Sequence, residues 1–267
     1  MLDIDIIDRH DTAKAVRTFH RDGFVAVSGL FTAEQLARMQ DGARRVIAEQ
    51  TSAIALEQAN RGFARYSFGS QIHHPEWAIL VDVPEVLAIL DGIWGPDYHC
   101  TGGGGDYSLP GARIQGLHSD LPDFLKDPLG QVTVRDLPTP FIVMNVTMID
   151  FTVANGAIRF VPGTQRSRAP IPSLDEEPEW MRNQQLCAPA GTAIIRDVRC
   201  WHGGTANRSD QIRPMTSVGY YAGWMRSTHR ERPMPTEVYR ALSPRGQQLC
   251  AAITELDATR QPVEVCA

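Results

Sequence analysis

A histidine and an aspartate two positions apart begin a pattern of residues that could bind a metal ion. His118 and Asp120 are followed, further along the chain, by His202 and then by Arg213. Two imidazoles and one carboxylate can hold a divalent iron on one face and leave the opposite face open, as in non-haem Fe(II) oxygenases. An arginine presents a planar fork that can bind a carboxylate through two parallel hydrogen bonds. Together, these residue types could hold 2-oxoglutarate against an iron ion.

Each part of the pattern has a plainer interpretation when it is taken alone. His118 could be a histidine satisfied in the core, and His202 could be only a turn residue that follows a strand. In an extended strand, however, residues i and i+2 point to the same side, so His118 and Asp120 could reach one ion. Arg213 opens an apolar stretch, which favours burial against an anion, whereas Arg208 suits a surface salt bridge. The combination in this order is more specific than its parts.

Four stretches of the chain resemble the phytanoyl-CoA dioxygenase family of Fe(II)/2-oxoglutarate-dependent oxygenases. They are residues 22–25 (DGFV), 111–120 (GARIQGLHSD), 148–165 (MIDFTVANGAIRFVPGTQ) and 202–213 (HGGTANRSDQIR), spread over most of residues 20–225. The resemblance implies a double-stranded β-helix, the jelly-roll or cupin-like fold. It also implies that the iron ligands are His118, Asp120 and His202.

The same resemblance assigns residues to the co-substrate. It implies that Arg213 binds the distal carboxylate of 2-oxoglutarate and that Gln115 and Asn155 also contact this molecule. Thr205 and Gln71 are weaker candidates for such contacts. Some relatives have a small hydroxyl residue two positions after the distal histidine, where this chain has Gly204.

The expected reaction follows from the resemblance and from the carboxylate ligand. Related halogenases have a small residue in place of that carboxylate, so Asp120 implies oxygenation rather than halogenation. The cofactors and co-substrates would be Fe(II), 2-oxoglutarate and O₂. A C–H bond of the substrate would be oxidised, with hydroxylation as the expected outcome, and succinate and CO₂ would be released. Two alternatives stay open: a Zn-dependent hydrolase using the same three ligands, and a non-catalytic jelly-roll protein that binds a metal or ligand.

The substrate is expected to be a small, largely apolar metabolite or an intermediate of secondary metabolism. The loop at 121–138 is long, mixed in charge and without the basic patch that acyl-CoA phosphates would favour; such a loop is often a lid. Candidate pocket walls are apolar and aromatic residues: Tyr66, Phe68, Leu117, Phe124, Leu125, Met144 and Trp224.

The elements that must position these residues change character along the chain. Residues 1–97 are mainly helical in pattern, with a short strand after Gly23 and a helix that begins after Thr32, whose capping-box partner is Gln35. Short apolar runs punctuated by Gly and Pro then predict a mainly β, jelly-roll core over about 98–226, and a tail helix is expected over about 235–258. We therefore predict one domain over residues 1–267, flanked by helices. The predicted core strands are 141–151, 157–161, 193–198 and 215–224.

The amino-acid composition of the chain limits the kinds of binding partner that we expect. The net charge is −5 and no run of Lys or Arg occurs, so nucleic acid is not an expected partner. No apolar stretch is long enough to span a bilayer, and the acidic start lacks a signal pattern, so we expect a cytoplasmic protein with no membrane contact. The five cysteines include no CxxC pair and are expected to be free thiols, with Cys200 on the same strand face as His202. The expected partner is a small-molecule substrate, with a homodimer left open.

Overall fold

The computed structural model describes residues 2–226 and 233–254. Its strands in these ranges are β1 (Ile6–Asp8), β2 (Phe24–Ser28), β3 (Arg65–Ser67), β4 (Tyr98–Gly102), β5 (Asp106–Ser108), β6 (Phe141–Thr147), β7 (Arg159–Phe160), β8 (Ala193–Asp197), β9 (His202–Gly203) and β10 (Arg213–Ala222). Its α-helices there are α1 (Thr12–Asp22), α2 (Ala33–Ala53), α3 (Pro84–Trp94), α4 (Glu179–Arg182), α5 (Thr236–Ala241) and α6 (Pro244–Cys250). In the described residues, no helix is both long enough and apolar enough to cross a membrane.

Two sheets form the core. The larger sheet has the strand order β1-β2-β8-β6-β10-β5-β3, and β4 also pairs with β10. The long strand β10 pairs antiparallel with β6 over residues 215–221, with β5 at its start and with β4 at its end. The smaller sheet contains β7 and β9, and an antiparallel bridge joins His118 to His202. The predicted jelly-roll core with flanking helices is thus confirmed.

Strands β2 and β8 of the larger sheet are buried on both faces, and their alternate residues face different layers. Val25 of β2 and Ile195 of β8 belong to a core shared with the helices, which also contains Phe19, Met39 and Leu90. Phe24 and Ile194, their neighbours in sequence, pack instead with residues of the smaller sheet and its flanking segments. Successive side chains of one strand therefore pack alternately against the helices and into the space between the two sheets.

Local signals set the helix boundaries. The side chain of Thr32 accepts a hydrogen bond from the amide of Gln35 at 3.2 Å, and the Gln35 side chain accepts one from the amide of Thr32 at 2.9 Å. This reciprocal capping box starts α2, as predicted. The helix predicted at residues 84–94 is α3, which begins with Pro84 and ends before Gly95, a glycine with φ of 71°.

The structure differs from the sequence-based division in two places. The first 97 residues supply β1, β2 and β3 to the larger sheet, so the helical part and the sheet share their strands. The tail predicted as one helix over about 235–258 contains two short helices, α5 and α6, because Pro244 lacks the amide hydrogen needed to continue a helix and instead begins α6. Residues 255–258 of that prediction lie outside the described residues.

Candidate active site

Backbone pairing brings the three predicted metal ligands together. The amide of His118 donates to the carbonyl of His202 at 2.9 Å, the amide of His202 donates back at 3.0 Å, and the amide of Asp120 donates to Val198 at 2.9 Å. Nε2 of His118 lies 3.6 Å from Oδ1 of Asp120, and Nε2 of His202 lies 3.4 Å from Oδ2. One potential ligand atom from each of the three residues lies within 4.8 Å of the others. This is a compact cluster with the donor types of a facial triad.

The other ring nitrogen of each histidine faces a backbone carbonyl. Nδ1 of His118 is 3.1 Å from the oxygen of Gly116, and Nδ1 of His202 is 2.9 Å from the oxygen of Cys200. Only a protonated nitrogen can donate to a carbonyl, so both rings present an unprotonated Nε2 toward Asp120 when they are neutral. Outer-shell hydrogen bonds of this kind orient metal-binding histidines. The donor set therefore fits a divalent iron.

The charges of the ligands also suit a metal. Burial, assisted by the nearby Arg196 guanidinium, lowers the pKa of His202, which keeps this imidazole neutral at neutral pH. Burial alone would raise the pKa of Asp120, but Arg196, 2.8 Å from Oδ2, and His202 outweigh it and hold that pKa well below its usual range. The cluster thus offers an ionised carboxylate beside a neutral imidazole.

Arg213, the first residue of β10, is fully buried. Its Nη1 lies 3.3 Å from Oδ1 of Asp106, and its guanidinium carbon lies 5.0 Å from the centre of the Phe151 ring. Oδ2 of Asp106 is also 3.5 Å from Arg65, so two guanidinium groups share one carboxylate and the cluster carries net positive charge. Burial lowers the pKa of Arg213 to about 10, which still leaves it protonated at neutral pH.

One cavity of about 380 Å³ reaches both the triad and Arg213. Its volume lies within the usual range for small-molecule sites. The backbone of Gly102, Gly103, Gly104 and Gly105 forms part of its wall. A side chain on Gly103 or Gly105 would collide with carbonyl oxygens of β10, so this glycine run is needed for close backbone approach as well as being a loop.

The side chains of two other predicted co-substrate residues, Gln115 and Gln71, make hydrogen bonds to the backbone. Gln115 lines the cavity, but its Oε1 accepts from the Gly204 amide at 2.9 Å and its Nε2 donates to the Arg61 carbonyl at 3.0 Å. Oε1 of Gln71 accepts from the amides of Gly105 and Ser217, both at 2.8 Å, and so ties the glycine run to β10. Both side chains therefore hold backbone segments in place.

Thr205 and Asn155 also make structural contacts and are not brought to the cavity. The hydroxyl of Thr205 donates to the carbonyl of Ala157 at 2.7 Å. Asn155 closes a turn, because its Oδ1 accepts from the Thr152 amide at 2.9 Å and its Nδ2 donates to the Asp150 carbonyl at 2.8 Å. The contacts of these two side chains give no support to the roles implied by the resemblance.

The predicted pocket walls are wrong, because none of these residues lines the cavity. Tyr66, Phe68 and Met144 lie in the core shared with the helices, and Leu117 packs in a small cluster with Val161 and Trp201. Phe124 and Trp224 are exposed, and Leu125 is half-buried in the loop outside the cavity. Cys200 does not line the cavity either; its thiol lies 3.5 Å from the Val161 carbonyl, and burial raises its pKa to about 12.

A buried ion pair supports the segment before His118. Arg159 and Glu177 are both fully buried and joined by two hydrogen bonds. Glu177 accepts from the Leu117 amide at 2.9 Å, while Arg159 donates to the Gln115 carbonyl at 2.6 Å. No sequence pattern predicted this pair, and Arg196, which lines the cavity, was not among the predicted site residues. In the sequence, Arg196 follows the apolar residues of β8 and directly precedes Asp197.

Comparison with known proteins places this site in a family. The family model "Phytanoyl-CoA dioxygenase (PhyH)" matches residues 19–215, which is most of the chain. Among curated proteins, dioxygenase aneA of Aspergillus aculeatus is 25% identical over 177 residues, covering 62% of this chain and 54% of that protein. The chain thus spans about half the length of this curated relative.

Solved structures share the fold. The epimerase SnoN, in complex with Fe³⁺, α-ketoglutarate and nogalamycin RO, has a TM-score of 0.61 at 18% identity, covering 79% of this chain and 83% of SnoN. HygX of Streptomyces hygroscopicus, with nickel, 2-oxoglutarate and hygromycin B bound, has a TM-score of 0.61 at 17% identity, covering 85% and 92% of the two chains. At this level of identity the likeness shows the fold alone.

Proposed function

We propose that this chain, which belongs to the phytanoyl-CoA dioxygenase family of iron- and 2-oxoglutarate-dependent oxygenases, oxidises a C–H bond of a small molecule. The proposed oxidation is a hydroxylation. The observation that carries this proposal is that one cavity contains His118, Asp120, His202 and the buried Arg213. The first three offer the ligands for Fe(II), and the fourth offers a desolvated cation for the distal carboxylate of 2-oxoglutarate.

Each group of the chain has a defined task in this reaction. A bound iron would supply the activation of O₂ that is coupled to decarboxylation of 2-oxoglutarate into succinate and CO₂. His118 and His202 would hold the metal through Nε2, since their Nδ1 atoms face carbonyls. Arg213 would orient 2-oxoglutarate, and its fixed position on β10 keeps that orientation rigid.

A zinc hydrolase with the same ligands is less well supported. Such an enzyme needs a general base poised near neutral pH. Among the described residues, the carboxylates that line the cavity are Asp106 and Asp120. Asp120 is a candidate ligand, and the guanidiniums of Arg213 and Arg65 overcome the effect of burial and lower the pKa of Asp106. Neither carboxylate is therefore suited to take up a proton near pH 7.

The substrate is proposed to be a small metabolite or natural-product intermediate. SnoN and HygX were crystallised with nogalamycin RO and hygromycin B, respectively, which favours this class. The expectation of a largely apolar substrate fits the cavity only in part, because three arginines and two aspartates line it beside apolar residues. A cytoplasmic location, a homodimer and the extent of the single domain stay predictions.

The proposed function is tested by loading the purified protein with Fe(II) and 2-oxoglutarate. Without O₂, we expect the visible charge-transfer band of an Fe(II)–2-oxoglutarate chelate; with O₂, we expect succinate that depends on both components. His202→Ala should show neither signal. A wild-type protein that gives neither the band nor succinate would contradict the proposal, and zinc-dependent hydrolysis would favour the alternative.

A further inference from the structure

Another buried arginine lies beside the triad and has no part in the reaction described above. Arg196 of β8 is 7% exposed and lines the same cavity. Its Nε donates to Oδ1 of Asn145 at 3.1 Å, and its Nη2 lies 2.8 Å from Oδ2 of Asp120. Two anchors thus fix the plane of the guanidinium next to a candidate metal ligand.

The remaining nitrogen of this guanidinium is not used by the protein. Nη1 is buried and has no hydrogen-bond partner among the described residues. Arginine carries five N–H donors, and a buried donor without an acceptor is unfavourable. Arg196 lines the same cavity as the triad, so a molecule bound in that cavity could supply an acceptor for Nη1.

The charge of the cavity also favours an anion. Arg61, Arg196 and Arg213 line it with Asp106 and Asp120, which leaves one net positive charge from these side chains. An Fe(II) ion and a 2-oxoglutarate dianion cancel each other when both are bound. The net positive charge therefore persists in the loaded site.

The surroundings of Arg196 add apolar surface. Val143 of β6 is its cross-strand partner, and Phe141 and Val143 both line the cavity. A cation next to aliphatic and aromatic groups suits a molecule with one anionic group and an apolar body. We therefore expect a substrate that has an apolar body and one charged end.

We propose that Arg196 determines substrate specificity by binding a carboxylate of the primary substrate through Nη1. The proposal rests on the proposed function, because it takes the triad as the metal site and Arg213 as the 2-oxoglutarate site. The two carboxylates of 2-oxoglutarate already have partners in that arrangement, one at Arg213 and one at the metal. Of the other two arginines that line the cavity, Arg61 is exposed, whereas Arg196 is buried and has an unpartnered nitrogen, so we assign the second organic acid to Arg196.

The test uses matched probes on a complex that does not turn over. The protein is loaded with Ni(II) and 2-oxoglutarate, and benzoate and 4-phenylbutyrate are compared with benzamide and 4-phenylbutyramide by calorimetric titration. Each acid should bind the wild-type complex more tightly than its amide, by about 10- to 150-fold for a hydrogen bond to a charged group. Arg196→Gln should remove this preference, and Arg196→Lys should keep part of it, because the charge remains but the fork is lost.

Controls separate recognition from structure and from co-substrate binding. Arg208→Gln makes the same substitution at an exposed arginine and should leave the preference intact. The Kd values of Ni(II) and of 2-oxoglutarate are measured for every variant, together with circular dichroism. Arg196→Lys retains a cation beside Asp120, so the comparison survives even if Arg196→Gln fails to fold.

Three results would overturn the assignment. The first is equal binding of acids and amides, or no binding of either, by a wild-type complex that holds Ni(II) and 2-oxoglutarate. The second is an acid preference that survives in both Arg196 variants. The third is a loss confined to 2-oxoglutarate affinity, which would assign Arg196 to the co-substrate. Failure of the proposed function is recognised separately, because the wild-type protein would then form no complex with metal and 2-oxoglutarate.

Discussion

Replacement of Arg213 by alanine tests the link between the buried arginine cluster and 2-oxoglutarate. In the structure, Arg213 and Arg65 flank Asp106 at 3.3 and 3.5 Å, and this cluster carries net positive charge. Arg213→Ala leaves Arg65 and Asp106 as a neutral pair. The distal carboxylate of 2-oxoglutarate would then enter a site that has lost its buried excess cation.

The expected loss follows from the burial and the sharing of this charge. Truncating one partner of a buried, hydrogen-bonded charge pair costs about 2–5 kcal/mol. Asp106 already neutralises part of the Arg213 charge, which places the expected loss in the lower half of that range. A loss of about 2–3 kcal/mol corresponds to a roughly 30- to 150-fold higher Kd for 2-oxoglutarate. Arg213→Lys should recover only part of the affinity, since an ammonium cannot copy the fork.

Anaerobic calorimetry with the metal-loaded protein measures this Kd directly. The affinity for the metal should change little, because the ion pairs of the triad involve Arg196 and not Arg213. Arg208→Ala, at an exposed position, is the matched control and should bind 2-oxoglutarate normally. An unchanged 2-oxoglutarate Kd in a folded Arg213→Ala protein would refute the assignment and would make Arg196 the next candidate.

Three further predictions concern the metal and the frame around it. His202→Ala should abolish Ni(II) binding in titrations, whereas Cys200→Ser should retain it, because the Cys200 thiol lies outside the cavity. Glu177→Ala should lower the free energy of unfolding in urea by about 3–5 kcal/mol, since it leaves a buried arginine unpaired; the exposed Glu176→Ala should change it by less than about 0.5 kcal/mol. Chelation of bound metal should lower the Tm, and adding Ni(II) at about 100 times its Kd should raise the free energy of unfolding by about 2.7 kcal/mol. A Tm that does not respond to metal would contradict a metal site in the folded protein.

The metal ligands could be predicted from the sequence because their geometry is mostly local. His118 and Asp120 are two residues apart, and their residue types restrict the chemistry. The third ligand, His202, depends on a backbone bridge to His118 that no local pattern encodes. Its position was inferred from the order of the motif, and the bridge supplies the physical reason for it.

The polar residues next to the site were harder to assign, because an amide side chain can bind either a ligand or the backbone. Gln71 and Asn155 illustrate this, since both are buried and both use their oxygen to accept amide hydrogen bonds from loops. Which of the two tasks a side chain performs depends on long-range neighbours. Sequence spacing does not contain that information.

The cavity walls were mispredicted because both faces of β6 carry apolar residues. A strand with one wet face alternates apolar and polar residues, but a strand covered on both sides is apolar throughout. In β6, Ile142 and Met144 face the helices, whereas Val143 and Asn145 face the cavity. The apolar residues on the two faces are chemically alike, so the choice of Met144 as a wall residue was wrong.

Three exceptions to this apolar pattern lie on the face that lines the cavity. Asn145 of β6, Arg196 of β8 and Ser217 of β10 are polar residues within buried strands, and all three line the cavity. Asn145 is the cross-strand partner of Ser217 in the sheet register. A buried polar group needs a hydrogen-bond partner, so such residues can persist only where a ligand or another polar group is present. The helix-facing residues preserve the core, and substitutions on the opposite face can therefore change substrate recognition without removing the apolar contacts that hold the sheet to its helices.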